Sequence, residues 1–77
     1  MSEIRPKTVS SIESLLFTNG EPLVISRISK LIGVSETEVD AALGILGERY
    51  LDPLSGLMLV RHGKSVEIAT RAENAGP

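Results

Sequence analysis

The sequence has no cysteine and no tryptophan, and only one histidine, one phenylalanine and one tyrosine among its 77 residues. Without cysteine there is no disulfide framework, no thiolate metal site and no thiol nucleophile. No apolar run approaches the roughly 18 residues that a membrane-spanning helix needs. The polar start at residues 1–7 also lacks a signal-peptide core. These absences are consistent with a cytoplasmic protein that has an aliphatic core and no membrane partner.

Catalytic and cofactor motifs are also missing from the sequence. The single imidazole, His62, has no serine, cysteine or carboxylate partner at a motif spacing. One histidine is too few for a metal site, which takes three or four ligands. Gly44 and Gly47 lie inside a helical pattern and not in a strand-to-helix turn, so they do not form a phosphate loop. We therefore expect no enzyme activity, no cofactor, no metal site and no small-molecule ligand.

The composition predicts one small packed domain. Hydrophobic residues make up 42% of the chain, which is enough for a core and argues against disorder. A domain of this length buries limited surface, so a second module or a partner subunit is expected. We assign residues 1–73 to the domain and residues 74–77 to the start of a linker.

The strongest helix signal runs from Ser35 to Tyr50. Ser35 is suited to cap the first free backbone amides, and Glu38 is placed to return a bond to the Ser35 amide. Acidic side chains in the first turn complement the helix dipole. Apolar positions recur at steps of three and four, which predicts one core-facing stripe. That stripe consists of Val39, Ala42, Leu43, Leu46 and Tyr50.

Two shorter helices are predicted before this one, and a β-hairpin after it. Thr8 or Ser10 is the expected cap of the first helix, Gly20 is its expected stop, and Leu23–Val24 is long enough for a minimal edge strand. Two β-prone runs around Gly63 predict the hairpin. The main elements are helices over 8–19, 25–32 and 36–51 and strands over 57–61 and 66–70. Their order predicts a mainly α winged helix-turn-helix with a small β-hairpin.

Two apolar surfaces exceed what one small core needs. The apolar arc of the first helix spans roughly 200°, about twice the minimum stripe for a single core, and Phe17 lies at its edge. In the hairpin, period-two alternation separates Met58 and Val60 from the core-facing positions. We predict a symmetric homodimer whose interface includes Phe17, Met58 and Val60. The alternative is that Phe17 is core and that Met58 and Val60 pack under the loop at 51–55.

The outer face of the third predicted helix offers small and acidic side chains. Two interior glycines cost about 1 kcal/mol each relative to alanine, and the groove they leave admits a second helix or backbone. The alternative is that Gly44 and Gly47 clear room for the first helix or for the hairpin. The candidate partner-binding residues on this face are Thr37, Ala41, Gly44 and Glu48.

The predicted fold is typical of nucleic-acid binding, because the second helix of the motif enters the major groove in helix-turn-helix DNA-binding proteins. That helix here carries four acidic side chains against Arg49 alone, and an acidic helix repels phosphates. The net charge of −2 also departs from the basic balance typical of nucleic-acid modules. A weak hairpin contact with DNA backbone through Arg61, Lys64 and Arg71 is the alternative; otherwise these cations form a solvated tip.

Several short motifs follow one another in a characteristic order and spacing. They are Ile12-Glu13 with Leu15-Leu16-Phe17, Gly20-Glu21-Pro22-Leu23, Leu31, Gly33 and Val34 before the acidic cap, Leu46 and Tyr50, Gly56-Leu57-x-Leu59, and Thr70-Arg71. Together they resemble the N-terminal winged-helix domain of the bacterial segregation and condensation protein B family. The resemblance covers residues 9–73. Departures from the family pattern are Val66 in place of an aromatic residue, Gly44 and Gly47, and Val24 in place of a capping serine or threonine.

The resemblance implies a non-enzymatic subunit of a bacterial SMC-kleisin complex that acts in chromosome condensation and segregation. Members of the family have two winged-helix domains, dimerise through the first, and bind the kleisin that bridges the SMC ATPase heads. An ScpA-like kleisin is thus the implied partner, and the implied location is the cytoplasm, at the nucleoid. Two rival interpretations are a winged-helix transcription regulator and an unrelated adaptor. A second winged helix beyond Pro77 in the full-length gene would favour the family.

Overall fold

The computed structural model describes residues 5–70, which form three helices and one three-stranded antiparallel sheet. The helices are α1 (Pro6–Asn19), α2 (Ile25–Ile32) and α3 (Glu36–Arg49), and the strands are β1 (Leu23–Val24), β2 (Leu57–His62) and β3 (Ser65–Thr70). The predicted winged helix-turn-helix is confirmed, and each predicted boundary is within two residues of the observed one. Arg71, the predicted domain end at residue 73 and the predicted linker lie outside the described residues.

The start of α1 differs from its prediction. The helix begins at Pro6, and Arg5 is the N-cap residue without a side-chain cap, so the predicted capping by Thr8 or Ser10 is wrong. Proline suits the first helical position because its φ is preset and its missing N–H would be unpaired there anyway. Thr8 instead lies in the first turn, and its hydroxyl donates to a carboxylate oxygen of Glu38 at 2.8 Å.

Ser35 caps the N-terminus of α3 as predicted, but the Glu38 side chain does not take part in the cap. The Ser35 hydroxyl oxygen accepts from the Glu38 backbone N–H at 3.1 Å. The Glu38 carboxylate does not return a bond to the Ser35 amide; it reaches α1, where Arg5 Nε lies 3.2 Å from its Oε2. Hydrogen bonds from Arg5 and from Thr8 hold the pKa of Glu38 below its usual range. This carboxylate therefore ties the first turn of α1 to the first turn of α3.

Glu38→Gln is expected to lower the stability of the fold at neutral pH and to flatten its acid dependence. A carboxyl whose pKa is depressed by folding stabilises the native state above its unfolded pKa of about 4.3. That contribution is lost as the pH falls through the lower folded pKa. Urea unfolding at about pH 7 and about pH 3 measures it, with Glu36→Gln as the control in the same turn. Equal losses from both variants at both pH values would contradict the role given to Glu38.

The core is aliphatic and lies between the three helices and the inner face of the sheet. Its buried hydrophobic residues are Val9, Ile12, Leu16, Ile28, Val39, Ala42, Leu43, Leu46, Tyr50 and Val66. The predicted stripe of α3 is confirmed, since all five of its members are buried. Tyr50 donates its hydroxyl to Glu13 of α1, and burial followed by this carboxylate contact raises the pKa of Tyr50 above its usual range. No helix between residues 5 and 70 is long and apolar enough to cross a membrane.

The hairpin pairs β2 with β3 without interruption. Its register runs from Leu57 opposite Thr70 to His62 opposite Ser65, and Gly63, with φ of 63°, supplies the left-handed residue of the two-residue turn. The predicted edge strand β1 is confirmed and pairs with β3, so that β3 is the central strand. The inner face of the hairpin packs against the core through Leu57, Leu59 and Ile68.

Candidate protein-interaction surfaces

The hairpin presents an apolar pair on the face away from the helices. Met58 lies opposite Ala69, and Val60 lies opposite Glu67. We call these four residues the outer hairpin surface. Met58 is 39% exposed and Val60 is partly buried, and neither belongs to the residues packed against the core. The structure therefore separates Met58 and Val60 from the core-facing positions, as the alternation predicts.

Phe17 forms a second exposed apolar position. Its side chain is 65% exposed, so the alternative in which Phe17 belongs to the core is wrong. Its neighbour Leu16 is buried, which shows that the rotation of α1 directs only part of the wide apolar arc inward. Because α1 packs on the inner face of the sheet, Phe17 and the outer hairpin surface belong to opposite sides of that sheet. The three candidate interface residues thus occupy two surfaces.

The outer face of α3 carries the four candidate partner-binding residues. Thr37, Gly44 and Glu48 are exposed, and Ala41 is partly buried. A side-chain carbon added at Gly44 would meet no atom within 4 Å, so Gly44 does not clear room for α1 or the hairpin. At Gly47 the same carbon would lie 3.8 Å from Leu59 Cδ2, an ordinary contact distance. Gly44 therefore leaves an open stretch of helix surface.

Ile45 also lies on the outer face of α3, although the sequence patterns above do not include it. Ile45 is 36% exposed on α3. It follows Ala41 by four residues and precedes Glu48 by three, so it shares their face of the helix. The four-residue spacing between Ala41 and Ile45 is the sequence signal that places Ile45 on this face. Ile45 supplies the apolar side chain that the face otherwise lacks.

Gly44→Ala is expected to raise the free energy of unfolding by about 0.4–1 kcal/mol. The position is helical, its φ is not left-handed, and a methyl group there meets open space. Gly33→Ala is the matched contrast, because Gly33 caps α2 with φ of 86° and alanine there is strained. Urea unfolding of both variants measures the effect. A destabilised Gly44→Ala variant would show that the helix needs the glycine for an internal contact.

In the basic group proposed as the DNA-contact alternative, Arg61 already has a carboxylate partner. Arg61 Nη1 lies 2.9 Å from Asp40 Oδ1 of α3, and His62 Nε2 lies 2.7 Å from Glu67 Oε2 across the hairpin. Lys64 is exposed at the turn, and Arg71 lies outside the described residues. Phosphate binding needs free cations, so this arrangement weakens the DNA alternative. Over residues 5–70, no three histidine or acidic side chains are grouped to hold a metal ion.

Comparison with known proteins identifies relatives of this chain. Residues 10–76 match the family model described as segregation and condensation complex subunit ScpB. A segregation and condensation protein B of Clostridium botulinum is 30% identical over 69 residues, which is 90% of this chain and 36% of that protein. The corresponding protein of Clostridium acetobutylicum is 34% identical over 77 residues, 97% of this chain and 38% of that protein. This chain thus spans little more than a third of the length of these relatives.

A solved structure gives the same fold. It is described as a dimer of the ScpB N-terminal domain complexed with ScpA peptide. The match has a TM-score of 0.83 at 31% sequence identity and covers 90% of this chain and 86% of that chain. The likeness therefore extends over nearly the whole of both chains.

Proposed function

Because the chain belongs to the segregation and condensation protein B (ScpB) family, we propose that it is a subunit of a bacterial SMC-kleisin complex. In that complex it acts in chromosome condensation and segregation, in the cytoplasm at the nucleoid, without enzymatic activity of its own. It does so by forming a homodimer and by binding an ScpA-like kleisin, through which it meets the SMC ATPase. The observation that carries this proposal is the match to a dimeric ScpB N-terminal domain in complex with an ScpA peptide.

The charges of α3 support a protein partner over duplex DNA. Glu36 and Glu48 are exposed on the helix that a winged-helix DNA reader would place in the major groove. The cation Arg49 is turned towards Glu13, with its Nη1 3.4 Å from the carboxylate Oε1. DNA binding to this helix would bring phosphates against unbalanced acids. A polypeptide partner with apolar and basic side chains meets no such repulsion.

The kleisin is proposed to lie on the outer face of α3. Thr37, Ala41 and Gly44 present little side-chain bulk there, so a helix or extended backbone can approach closely. Ile45 offers apolar area, and Glu48 offers a carboxylate to a basic residue of the kleisin. The homodimer is proposed to use the other candidate surfaces, with Met58 and Val60 on the hairpin and Phe17 on α1. The two functions then use different residues of the domain.

Gly44→Leu is expected to weaken binding of an ScpA peptide by about tenfold or more, equivalent to ~1.4 kcal/mol. The added side chain enters space that is open in this fold, so it obstructs a partner without disturbing the core. Fluorescence polarisation with a labelled ScpA peptide measures the affinity. Ser14→Leu, the same residue added to an exposed position of α1, is the control and should bind as the unsubstituted chain does.

The same measurement separates the possible failures. Unchanged affinity in Gly44→Leu would remove the outer face of α3 from the kleisin site. No binding of the peptide by the unsubstituted chain would contradict the kleisin function itself. Tight binding of duplex DNA at low salt, lost on substitution at Thr37, Ala41 or Gly44, would favour a transcription regulator instead.

A further inference from the structure

The strand β2 has one edge without a neighbouring strand, because the sheet order ends with it. A two-residue turn makes the flanking His62–Ser65 pair a hydrogen-bonded pair, and such pairs alternate along an antiparallel ladder. It follows that Leu59 and Arg61 direct their backbone N–H and C=O groups away from β3. Within the part of the chain that the structure describes, these four groups have no hydrogen-bond partner. We call them the open edge.

The open edge is bounded at both ends. Leu57 belongs to the same outward-directed set, but Ser55 Oγ lies 3.2 Å from both its backbone N and its backbone O. Those two groups are therefore already engaged. At the other end the strand passes into the turn at Gly63. The site is consequently a short strand edge with two donors and two acceptors, and not an edge of arbitrary length.

This edge is short and carries one inward charge, Arg61, but it lacks the other devices that usually protect an edge strand. Natural edges are shortened, bulged, or given lysine, proline or an inward charge. The six residues of β2 contain no lysine or proline, and the register shows no bulge. Its two basic side chains are each paired with a carboxylate, Arg61 with Asp40 and His62 with Glu67. An edge without lysine, proline or a bulge is a template for another strand, here over its two open residues.

We propose that the open edge pairs with the open edge of a second copy of this chain, so that the two three-stranded sheets join into one six-stranded sheet. This inference rests on the proposed homodimer and specifies its geometry. The strands run antiparallel about a two-fold axis that passes through Val60. A two-fold contact uses one surface twice, and here the edge of each copy supplies two donors and two acceptors to the other.

The hydrogen bonds select this register among the symmetric ones. With the axis at Val60, Leu59 pairs with the partner's Arg61, and Arg61 pairs with the partner's Leu59. These two pairs satisfy all four open groups on each copy. An axis at Met58 or at Leu59 needs the backbone of Leu57, which Ser55 already occupies. An axis at Arg61 sets Leu59 opposite Gly63 of the turn, beyond the end of β2, so the open groups of Leu59 stay unpaired. Val60 is the position that avoids both costs.

The side chains agree with the same register. Val60 then faces the partner's Val60 in a non-hydrogen-bonded pair, where the Cα atoms are about 4.5 Å apart and side chains are closest. Met58 lies opposite the partner's His62 on the same face. The outer hairpin surfaces of the two copies merge into one apolar strip. A foreign strand can match the edge alone, whereas a second copy matches the edge, its length and its apolar pair together.

Single-cysteine variants test the register, because the chain has no cysteine of its own. Val60→Cys is expected to form an interchain disulfide on mild oxidation, since the two sulfurs face each other across the axis. In Met58→Cys the two residues lie four register positions apart, about 13 Å along the strand, which exceeds the reach of a disulfide of about 7 Å. We expect at least about tenfold more cross-linked dimer from Val60→Cys than from Met58→Cys, by non-reducing electrophoresis at matched concentrations.

Two further measurements separate the possible results. Sedimentation of the unsubstituted chain shows whether a homodimer forms; a monomer would overturn the proposed homodimer and this inference with it. A dimer in which Val60→Cys fails to cross-link, or links no better than Met58→Cys, would overturn only the edge pairing. Hydrogen exchange should slow at the Leu59 and Arg61 amides as the protein concentration rises. Slowing only on addition of an ScpA peptide would show that a foreign strand occupies the edge.

Discussion

Leu43→Ala is expected to lower the free energy of unfolding by about 2–5 kcal/mol. Leu43 is fully buried in the middle of α3, so its truncation removes buried methyl groups and leaves a cavity that the surrounding core fills only in part. A domain of this size is stable by roughly 5–10 kcal/mol. The loss is therefore a large fraction of the total.

Leu54→Ala is the matched control for this substitution. Leu54 is 93% exposed in the loop between α3 and β2, so the same deletion there removes little buried surface. Its expected change is within about 0.5 kcal/mol. Urea unfolding of the two variants against the unsubstituted chain measures the contrast. Similar losses at both positions would contradict the placement of the core beneath α3.

The fold was predictable because local signals in the sequence agree with one another. The α3 stripe has helical spacing over its whole length, Ser35 caps the start, and the glycines at Gly20 and Gly33 take the left-handed conformation that ends a helix. Alternation in the two hairpin strands fixed which residues face inward. Each of these signals depends on a few neighbouring residues, so each can be recognised in a single sequence without knowledge of the tertiary structure.

The errors arose where a side chain had a partner far away in the sequence. Glu38 satisfies every local rule for a capping box, yet its carboxylate binds Arg5 and Thr8, which are 33 and 30 residues away. Thr8 likewise has the side chain of a helix cap, but its hydroxyl donates to the Glu38 carboxylate instead. A local pattern states which bonds are possible, and packing of α1 against α3 decides which of them form.

The candidate surfaces were predictable only in part. The exposure of Phe17 depends on how α1 rotates over the core, which helical periodicity alone left open because the apolar arc was too wide. The pairing of Arg61 with Asp40 depends on the placement of the hairpin beside α3. The open edge of β2 depends on strand order, because β1 could have paired with either hairpin strand and in fact pairs with β3. None of these features has a short sequence signature.

Val60→Glu is expected to convert the homodimer into a folded monomer and to raise its dissociation constant by at least about a hundredfold, or ~2.8 kcal/mol. About the proposed axis, the two new carboxylates face each other directly, and like charges opposed at an interface cost several kcal/mol. The fold itself should persist, because Val60 lies on the outer hairpin surface and not in the core. Valine to glutamate in a strand costs roughly 1 kcal/mol or less of stability, and the new carboxylate opposite Glu67 adds a cross-strand repulsion of at most about the same size.

Phe17→Glu introduces the same charge at the other exposed apolar candidate. Comparing it with Val60→Glu shows which of the two surfaces forms the homodimer interface. Sedimentation of both variants and of the unsubstituted chain gives the association constants, and circular dichroism with urea unfolding reports the fold. The larger loss of association is expected from Val60→Glu, because Phe17 belongs to the side of the sheet that faces the helices. A monomer only in Phe17→Glu would move the interface to α1. Unfolding of Val60→Glu that persists when Glu67 is changed to Gln, which removes the opposed carboxylate, would show that the outer hairpin surface stabilises the domain itself, since a dimer contact alone gives a folded monomer when it is broken.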